Sequence, residues 1–357
     1  MSFADTDKIT KHPSYNLGRI PEIARERSSQ YGTDAIISDI SFLLGLKDIQ
    51  RMILQNCEGI EVPIPMVISA GQEDRRRVSQ ITGFDLQPMF YEDEESAQIG
   101  KYSVENVAKV IIESKQPWIF KPNWGSYSQG VYLINSENGY ITITINDGVF
   151  DHNNYVLHEY LLDKCKEIKR VPNKFIEFAV DTQSTQQELE KILDLGAVRL
   201  RGHFDPGLVE PLFKDEWQYE NRPFETRHIV TPDGNVEHIF AEVGRPNILD
   251  NDSNKKYWKI TPNKMYKRMA QELKVSEQDI ISYVETTLRN TYKYFTARIK
   301  ELGLNLSQVD EINELPFNIQ FDLKYLPSKS EGGLPTLGLV EVHIIIGDER
   351  VEYEFAE

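Results

Sequence analysis

The sequence FNIQFDLKY at residues 317–325 carries the clearest structural signal in the chain. Its odd positions are apolar or aromatic and its even positions are polar, which is the period of a β-strand with two different faces. The sequence VEVHI at residues 340–344 alternates in the same way and places Glu341 and His343 on one face. If the two strands pair, Asp322 and Glu341 can converge on a hard cation such as Mg²⁺. A sheet with one solvated face explains the same alternation, so the pattern alone does not distinguish the two.

The segments before these strands indicate a mixed α and β architecture. Residues 224–230 and 236–243 flank a Pro-Asp-Gly turn at 232–234, which predicts a β-hairpin. Residues 262–302 are helix-rich, and residues 350–355 predict a last strand. In the N-terminal part, apolar segments at 36–46 and 62–70 with a patterned stretch between them predict an α/β unit.

A helix and two strands surround a loop of small residues in the middle of the chain. Residues 103–114 predict a helix with a Ser103 cap, and apolar strands follow at 118–120 and 131–134. Lys121 ends the first strand, and the loop after it could fold its backbone amides over a polyphosphate. The spacing is not that of a P-loop, and an ordinary surface turn explains the same residues. The candidate phosphate-binding loop comprises Gly125, Ser126, Tyr127, Ser128, Gln129 and Gly130.

Composition restricts the class of protein. The chain has 357 residues, more than one hydrophobic core usually organises, so we expect two or three structural units. A formal net charge of −16 argues against a nucleic-acid surface, because phosphate backbones are bound by basic faces. Cys57 and Cys165 lack metal-like spacing, and no apolar stretch is long enough to span a bilayer. We expect a cytoplasmic protein that binds neither nucleic acid nor membrane.

Together these segments resemble the ATP-grasp superfamily, in particular ligases of the D-alanine–D-alanine type and their amino-acid and peptide ligase relatives. The most specific match is WIFKPNWGSYSQGVYL at residues 118–133. The resemblance implies an α/β (α+β) fold with three parts: an N-terminal α/β domain (1–100), a small central lid (101–163) and a C-terminal antiparallel-sheet domain (164–357). The ATP cleft is expected between the last two.

The resemblance also implies roles for single residues. Lys121 corresponds to the ligand of the α and β phosphates, with residues 125–130 as the closing loop. Arg227 corresponds to the arginine that contacts the γ phosphate and the acyl phosphate. Asp322, Glu341 and His343 correspond to the metal-binding residues, although the family usually has asparagine where His343 stands. Imidazole is a softer ligand than an amide oxygen, so His343 either shifts the metal preference from Mg²⁺ towards Mn²⁺ or only donates a hydrogen bond.

Two segments are similar to the hinge that holds adenine and ribose in this family. The favoured segment is 156–162, with His158, Glu159, Tyr160 and Leu161, and the rival segment is 175–178. Glu167 or Glu177 is expected to contact the ribose. Residues 185–195 predict a helix, but residues 181–223 are otherwise poorly patterned, and we interpret them as an insertion or a mobile substrate region. Within that region the candidate contacts for a substrate carboxylate are Arg199, Arg201 and His203.

The resemblance implies ATP-dependent ligation of a carboxylate to an amine through an acyl phosphate, with release of ADP and phosphate. The expected cofactors are ATP and Mg²⁺, with Mn²⁺ as the alternative ion. The expected partners are small carboxylate and amine substrates, either amino acids or a peptide, and a second copy of the chain in a homodimer. A phosphotransferase and a non-catalytic nucleotide-binding module on the same fold remain the alternatives.

Overall fold

The structure of the chain is a computed structural model. It describes residues 47–63, 65–68, 76, 79–80, 83, 87–88, 103–114, 116–122, 130–137, 140–146, 155–165, 167–171, 175–181, 185–199, 203–204, 207–213, 216–220, 222–243, 258–301, 317–328 and 333–346.

The described chain contains six helices and seventeen strands. The helices are α1 (Lys47–Leu54), α2 (Val104–Ser114), α3 (Tyr155–Lys164), α4 (Thr185–Gly196), α5 (Pro262–Leu273) and α6 (Glu277–Glu301). The strands are β1 (Ile60–Glu61), β2 (Met66–Val67), β3 (Gln87–Pro88), β4 (Trp118–Pro122), β5 (Tyr132–Glu137), β6 (Tyr140–Asn146), β7 (Glu167–Val171), β8 (Phe175–Asp181), β9 (Val198–Arg199), β10 (His203–Phe204), β11 (Gly207–Pro211), β12 (Gln218–Tyr219), β13 (Arg222–Val230), β14 (Val236–Val243), β15 (Trp258–Ile260), β16 (Phe317–Leu326) and β17 (Thr336–Ile346). The expected mixed α and β class is confirmed.

The chain divides into two compact units. The described residues of the first unit lie between 65 and 212, and those of the second unit lie at 47–63, 213–243 and 258–346. The predicted domain boundary at 163 therefore falls inside the first unit, and the helix at 47–54 belongs to the second unit with the C-terminal strands. The three-domain division stays a prediction.

The first unit is built on an antiparallel sheet of seven strands in the order β2-β11-β4-β5-β6-β8-β7. Helices α2, α3 and α4 cover one face, and their apolar side chains form a single core with Phe120, Tyr132 and Phe178. Phe120 stacks on Tyr132 with ring centroids 4.5 Å apart. A Cβ atom at Gly207 would lie 2.2 Å from Cε2 of Phe120, so only glycine allows β11 this close to β4.

The second unit is built on another seven-stranded sheet, with the main order β1-β17-β16-β13-β14-β15. β12 pairs with β13, and within this sheet β1 pairs with β17 in parallel, whereas the other described pairings are antiparallel. Helix α5 contacts β14, α6 contacts β13 and β14, and α1 contacts β17 and α6.

Three short strands, β3, β10 and β9, form a separate small sheet.

Most local expectations are confirmed. The hairpin of β13 and β14, the helices after residue 262, and the strands at 317–326 and 336–346 are present. The Ser103 cap is also present, since Ser103 Oγ accepts a hydrogen bond of 3.2 Å from the backbone nitrogen of Asn106. The apolar segment 36–46 and the strand at 350–355 lie outside the described residues.

The interpretation of residues 181–223 as an insertion or mobile region is wrong for its described parts. The helix predicted at 185–195 is present as α4, and other described parts of the segment form strands β9 to β12. β11 lies inside the first sheet between β2 and β4, with Leu208 and Val209 fully buried. The pattern was hard to recognise because a strand covered on both faces has a continuous apolar run instead of an alternation.

Candidate functional site

The described metal candidates lie together on the second sheet. In the strand register Asp322 of β16 is opposite Glu341 of β17, and Gln320 is opposite His343. One ligand atom from each of Asp322, Glu341 and His343 lies within 4.8 Å of the other two. The predicted convergence of these side chains is therefore confirmed, although ion binding is a separate matter.

Arg227 contacts Asp322 from β13, the strand on the side of β16 opposite β17. The two residues are opposite each other in the register of β13 and β16. Arg227 Nε donates to Asp322 Oδ1 at 2.9 Å and Nη2 donates to Oδ2 at 2.7 Å, which is a bidentate pair. Gln320 Nε2 also donates to Oδ1 at 3.2 Å. Burial raises the pKa of the Asp322 carboxyl, while the charge and hydrogen bonds of Arg227 oppose that rise.

Two irregularities in the strands accompany this pair. The register shifts between Arg227 and His228 on β13, and between Asp322 and Leu323 on β16. A β-bulge bends a strand and changes the direction of the side chains around it, and bulges are frequent beside functional sites. In each case the extra residue lies on the neighbouring strand, Ile239 on β14 next to Arg227 and Val340 on β17 next to Asp322.

Glu341 has cationic neighbours of its own. Lys47 Nζ of helix α1 lies 3.4 Å from Glu341 Oε1, and His343 Nε2 lies 3.4 Å from Oε2. Burial lowers the pKa of His343, but the hydrogen bond to Glu341 and the charges of Glu341 and Asp322 outweigh that effect and raise it. The two carboxylates of the cluster thus lie beside Arg227, Lys47 and a histidine whose pKa they raise.

The donor set fits a divalent cation. A carboxylate offers about four lone-pair positions, so Asp322 and Glu341 can each bind an ion while keeping some of their present contacts. Two carboxylates suit Mg²⁺, and an added imidazole suits Mn²⁺ better. Binding an ion here would displace part of the positive charge that now surrounds the carboxylates.

A second charged pair lies in the first unit. Lys121 Nζ on β4 is 2.8 Å from Glu210 Oε2 on β11, and the two side chains are 8% and 1% exposed. Lys121 shares its strand face with Ile119, whose cluster with Val131, Leu133 and Leu212 is separate from the core under the helices. Lys121 therefore lies on the face of the sheet that helices α2 to α4 do not cover.

Sequence reasoning missed Glu210. Its signal was a single acidic residue in the apolar run GLVEP at residues 207–211, within a segment assigned to an insertion. The described end of the predicted phosphate-binding loop is Gly130, which has a φ of 69°. Residues 125–129 lie outside the described part of the chain, so the loop's role stays a prediction.

The favoured hinge segment 156–162 is helical and not extended, and its contact with adenine stays a prediction. This segment lies inside helix α3, where the carbonyl groups up to Leu161 and the N–H groups after the first turn are paired within the helix. Leu161 is fully buried, and the hydroxyl of Tyr160 bonds to Glu188 of α4. Burial, reinforced by Glu188, raises the pKa of Tyr160. His158 packs against Phe178 with ring centroids 6.0 Å apart, and Glu159 is exposed.

The rival hinge segment 175–178 belongs to β8, which is paired with β6 on one side and β7 on the other. A strand with two paired neighbours has its backbone donors and acceptors occupied by the ladder. Glu167 begins β7 and Glu177 lies in β8, and their contact with a ribose stays a prediction.

A buried hydrogen-bonded chain adjoins Arg227. His228, which is fully buried, lies with Nε2 2.7 Å from Thr226 Oγ1 and with Nδ1 3.0 Å from Nδ1 of His238. Thr226 Oγ1 is in turn 3.1 Å from the hydroxyl of Tyr325. Burial, together with His238, lowers the pKa of His228 well below its usual range. A hydrogen bond between the two Nδ1 atoms requires one ring to donate and the other to accept.

Comparison with known proteins leaves the family open. Among the described helices, none combines the length and the apolar character needed to cross a membrane. No protein-family model, curated protein or solved structure matches the chain. The residues described above are therefore the basis on which a function is proposed.

Proposed function

We propose that this chain is an ATP-dependent ligase of the ATP-grasp type that joins a carboxylate to an amine through an acyl phosphate. The observation that carries the proposal is the cluster of Asp322, Glu341 and His343, with Arg227 paired to Asp322 in bidentate geometry. These residues occur in the positions and chain order that the sequence resemblance implies.

The cluster has the chemistry needed to manage phosphate charge. Asp322 and Glu341 would hold Mg²⁺ or Mn²⁺, with His343 as a third ligand or as a hydrogen-bond donor to Glu341. A bound divalent ion would neutralise phosphate oxygens during transfer. Arg227 presents a planar fork that fits phosphate as well as carboxylate, and its contact with Asp322 already fixes the side chain.

Lys121 is the proposed phosphate ligand of the first unit. An ammonium group has three donors, so Lys121 can keep its bond to Glu210 and still donate to a phosphate oxygen. The Glu210 carboxylate lies 2.8 Å from Lys121 Nζ and compensates a charge that would otherwise be buried without a partner. The buried pair therefore provides a fixed cation on a face that the helices leave uncovered.

Strand β11 replaces the earlier hinge candidates in this proposal. The chain leaves the first unit after Leu212 and enters the second at Phe213, directly after β11. β2 pairs with β11 at Leu208 and Val209, so the last residues of β11 lie beyond that pairing. We assign the adenosine contacts of the proposed reaction to the end of β11, which carries Glu210.

The proposed reaction needs no side-chain nucleophile. A carboxylate oxygen of the first substrate attacks the γ phosphorus of ATP, and ADP leaves. The amine of the second substrate then attacks the acyl carbon, phosphate leaves, and the amine loses one proton to water. Arg227 and Lys121 stabilise negative charge on the phosphate oxygens during these steps. We propose amino acids or a peptide as substrates.

Phosphate release from ATP, screened over pairs of amino acids, tests the proposal. We expect release that requires both a carboxylate and an amine and that is abolished in Asp322→Asn. The matched control is Glu272→Gln, an exposed carboxylate on α5 of the same unit. Transfer of phosphate to a stable acceptor without free phosphate would instead identify a phosphotransferase. ATP binding without consumption would identify a binding module.

A further inference from the structure

The outer edge of strand β17 is covered by side chains of helix α1. In the described chain β1 pairs with β17 over residues 337–338 alone. Further along the strand, Gln50 Nε2 donates a hydrogen bond of 2.8 Å to the carbonyl oxygen of Val342. Arg51 Nη2 donates another to the carbonyl oxygen of Val340. Side chains thus occupy acceptors that a longer neighbouring strand would otherwise bind.

One face of the helix makes all these contacts. Lys47, Gln50 and Arg51 have the spacing i, i+3 and i+4, which places them together on an α-helix. Lys47 forms the ion pair with Glu341, while Gln50 and Arg51 bind the residues on either side of it. Three successive residues of β17, at 340–342, are therefore contacted from α1, and the middle one is a residue of the candidate metal cluster.

The two polar side chains are costly to place here. Gln50 and Arg51 are each 2% exposed. Burial of an amide or a guanidinium is unfavourable unless hydrogen bonds compensate it, and here the carbonyl oxygens of Val340 and Val342 accept those bonds. Directed hydrogen bonds also fix the position of the strand along and across the helix, which apolar contacts do not.

We propose that Gln50 and Arg51 are positioning residues that hold Glu341 in place for the metal cluster, and that Lys47 competes with the metal ion for the Glu341 carboxylate. The inference rests on the proposed function, since it concerns the same cluster. It adds an N-terminal helix, far from the cluster in sequence, to the set of elements that determine metal affinity.

The positioning residues and Lys47 are expected to affect metal affinity in opposite directions. Loss of a residue that orients a ligand weakens metal binding, by about tenfold or more for residues behind the ligands of known sites. Removal of a competing cation strengthens it. Lys47 and Glu341 side chains are 13% and 29% exposed, so we expect a gain of about two- to fivefold, the range of a partly exposed ion pair. A general loosening of the helix would not move the two variants in opposite directions.

Direct titration with Mn²⁺ alone, followed by the electron paramagnetic resonance signal of the free ion, measures this without turnover. The variants are Gln50→Met, which keeps the length of the side chain and removes the donor, and Lys47→Met. Gln55→Met is the matched control, because Gln55 is exposed just after the same helix. Circular dichroism verifies folding, and Arg51→Lys replaces Gln50→Met if that variant does not fold.

Weaker Mn²⁺ binding in Gln50→Met, stronger binding in Lys47→Met and unchanged binding in Gln55→Met are the expected results. Parent-like affinity in a folded Gln50→Met or Arg51→Lys variant overturns the positioning role and leaves the proposed function intact. Weaker binding in Lys47→Met overturns the competition. A parent protein that binds no Mn²⁺, with or without ATP, overturns the proposed function together with this inference.

Discussion

Replacement of Glu210 by glutamine is expected to destabilise the first unit strongly. The ion pair with Lys121 is 2.8 Å long, and its side chains are 8% and 1% exposed. Removal of one partner from a buried pair costs about 3–5 kcal/mol, because the remaining charge loses its counter-ion in a site with little water. By contrast, Glu272→Gln removes an exposed helix pair with Arg268 and should cost about 0.5 kcal/mol or less.

Replacement of both Lys121 and Glu210 should destabilise the first unit far less. Apolar residues of similar volume in place of a buried pair are often neutral or stabilising. We therefore expect the stability of the double variant, Lys121→Met with Glu210→Met, to lie within about 1 kcal/mol of the parent value. The double variant should nevertheless lose ATP binding, because it lacks the proposed phosphate ligand. This separates the structural role of the pair from its role with nucleotide.

Hydrogen exchange of peptides from β4 and β11 measures the opening free energy of the first unit, with peptides from α6 as the internal reference for the second. Local measurement is needed because two units need not unfold together. Calorimetry gives the ATP affinity. A decrease of less than about 1 kcal/mol in the opening free energy of the first unit in Glu210→Gln would refute the burial argument. ATP binding at parent affinity in the folded double variant would refute the phosphate role of Lys121.

Three further variants test other parts of the molecule. The pKa of His228 is lowered in the folded protein, so the unfolded state takes up more protons below about pH 6.5, and stability should fall with pH by up to about 1.4 kcal/mol per unit. Urea unfolding of the second unit between pH 7 and 5 measures this slope, and an equal slope in His228→Gln would contradict it. Gly207→Ala places a Cβ atom 2.2 Å from Phe120 and should cost about 1–3 kcal/mol, measured by exchange of β11 peptides, with partial recovery when Phe120→Leu is added. His343→Asn should raise Mg²⁺-dependent activity relative to Mn²⁺-dependent activity, and superimposable metal titrations of variant and parent would remove His343 from the ligand set.

Local patterns predicted much of the secondary structure. A period of two residues is a property of the strand itself, so the strands that became β16 and β17 could be found without their partners. The hairpin of β13 and β14 and the cap at Ser103 depend on residues a few positions apart, and both are confirmed. The helix at 155–164 could not be assigned from the sequence, because a short apolar run is compatible with more than one structure.

The sequence by itself determined which side chains share a face of each strand, including Glu341 with His343 on β17, because that follows from backbone geometry alone. Only the tertiary structure decided which faces meet. Arg227 and Asp322 are 95 residues apart, Lys121 and Glu210 are 89 apart, and Gln50 and Val342 are 292 apart. These contacts depend on strand order, on register and on two bulges. Such features result from pairing between distant segments, which no local periodicity encodes.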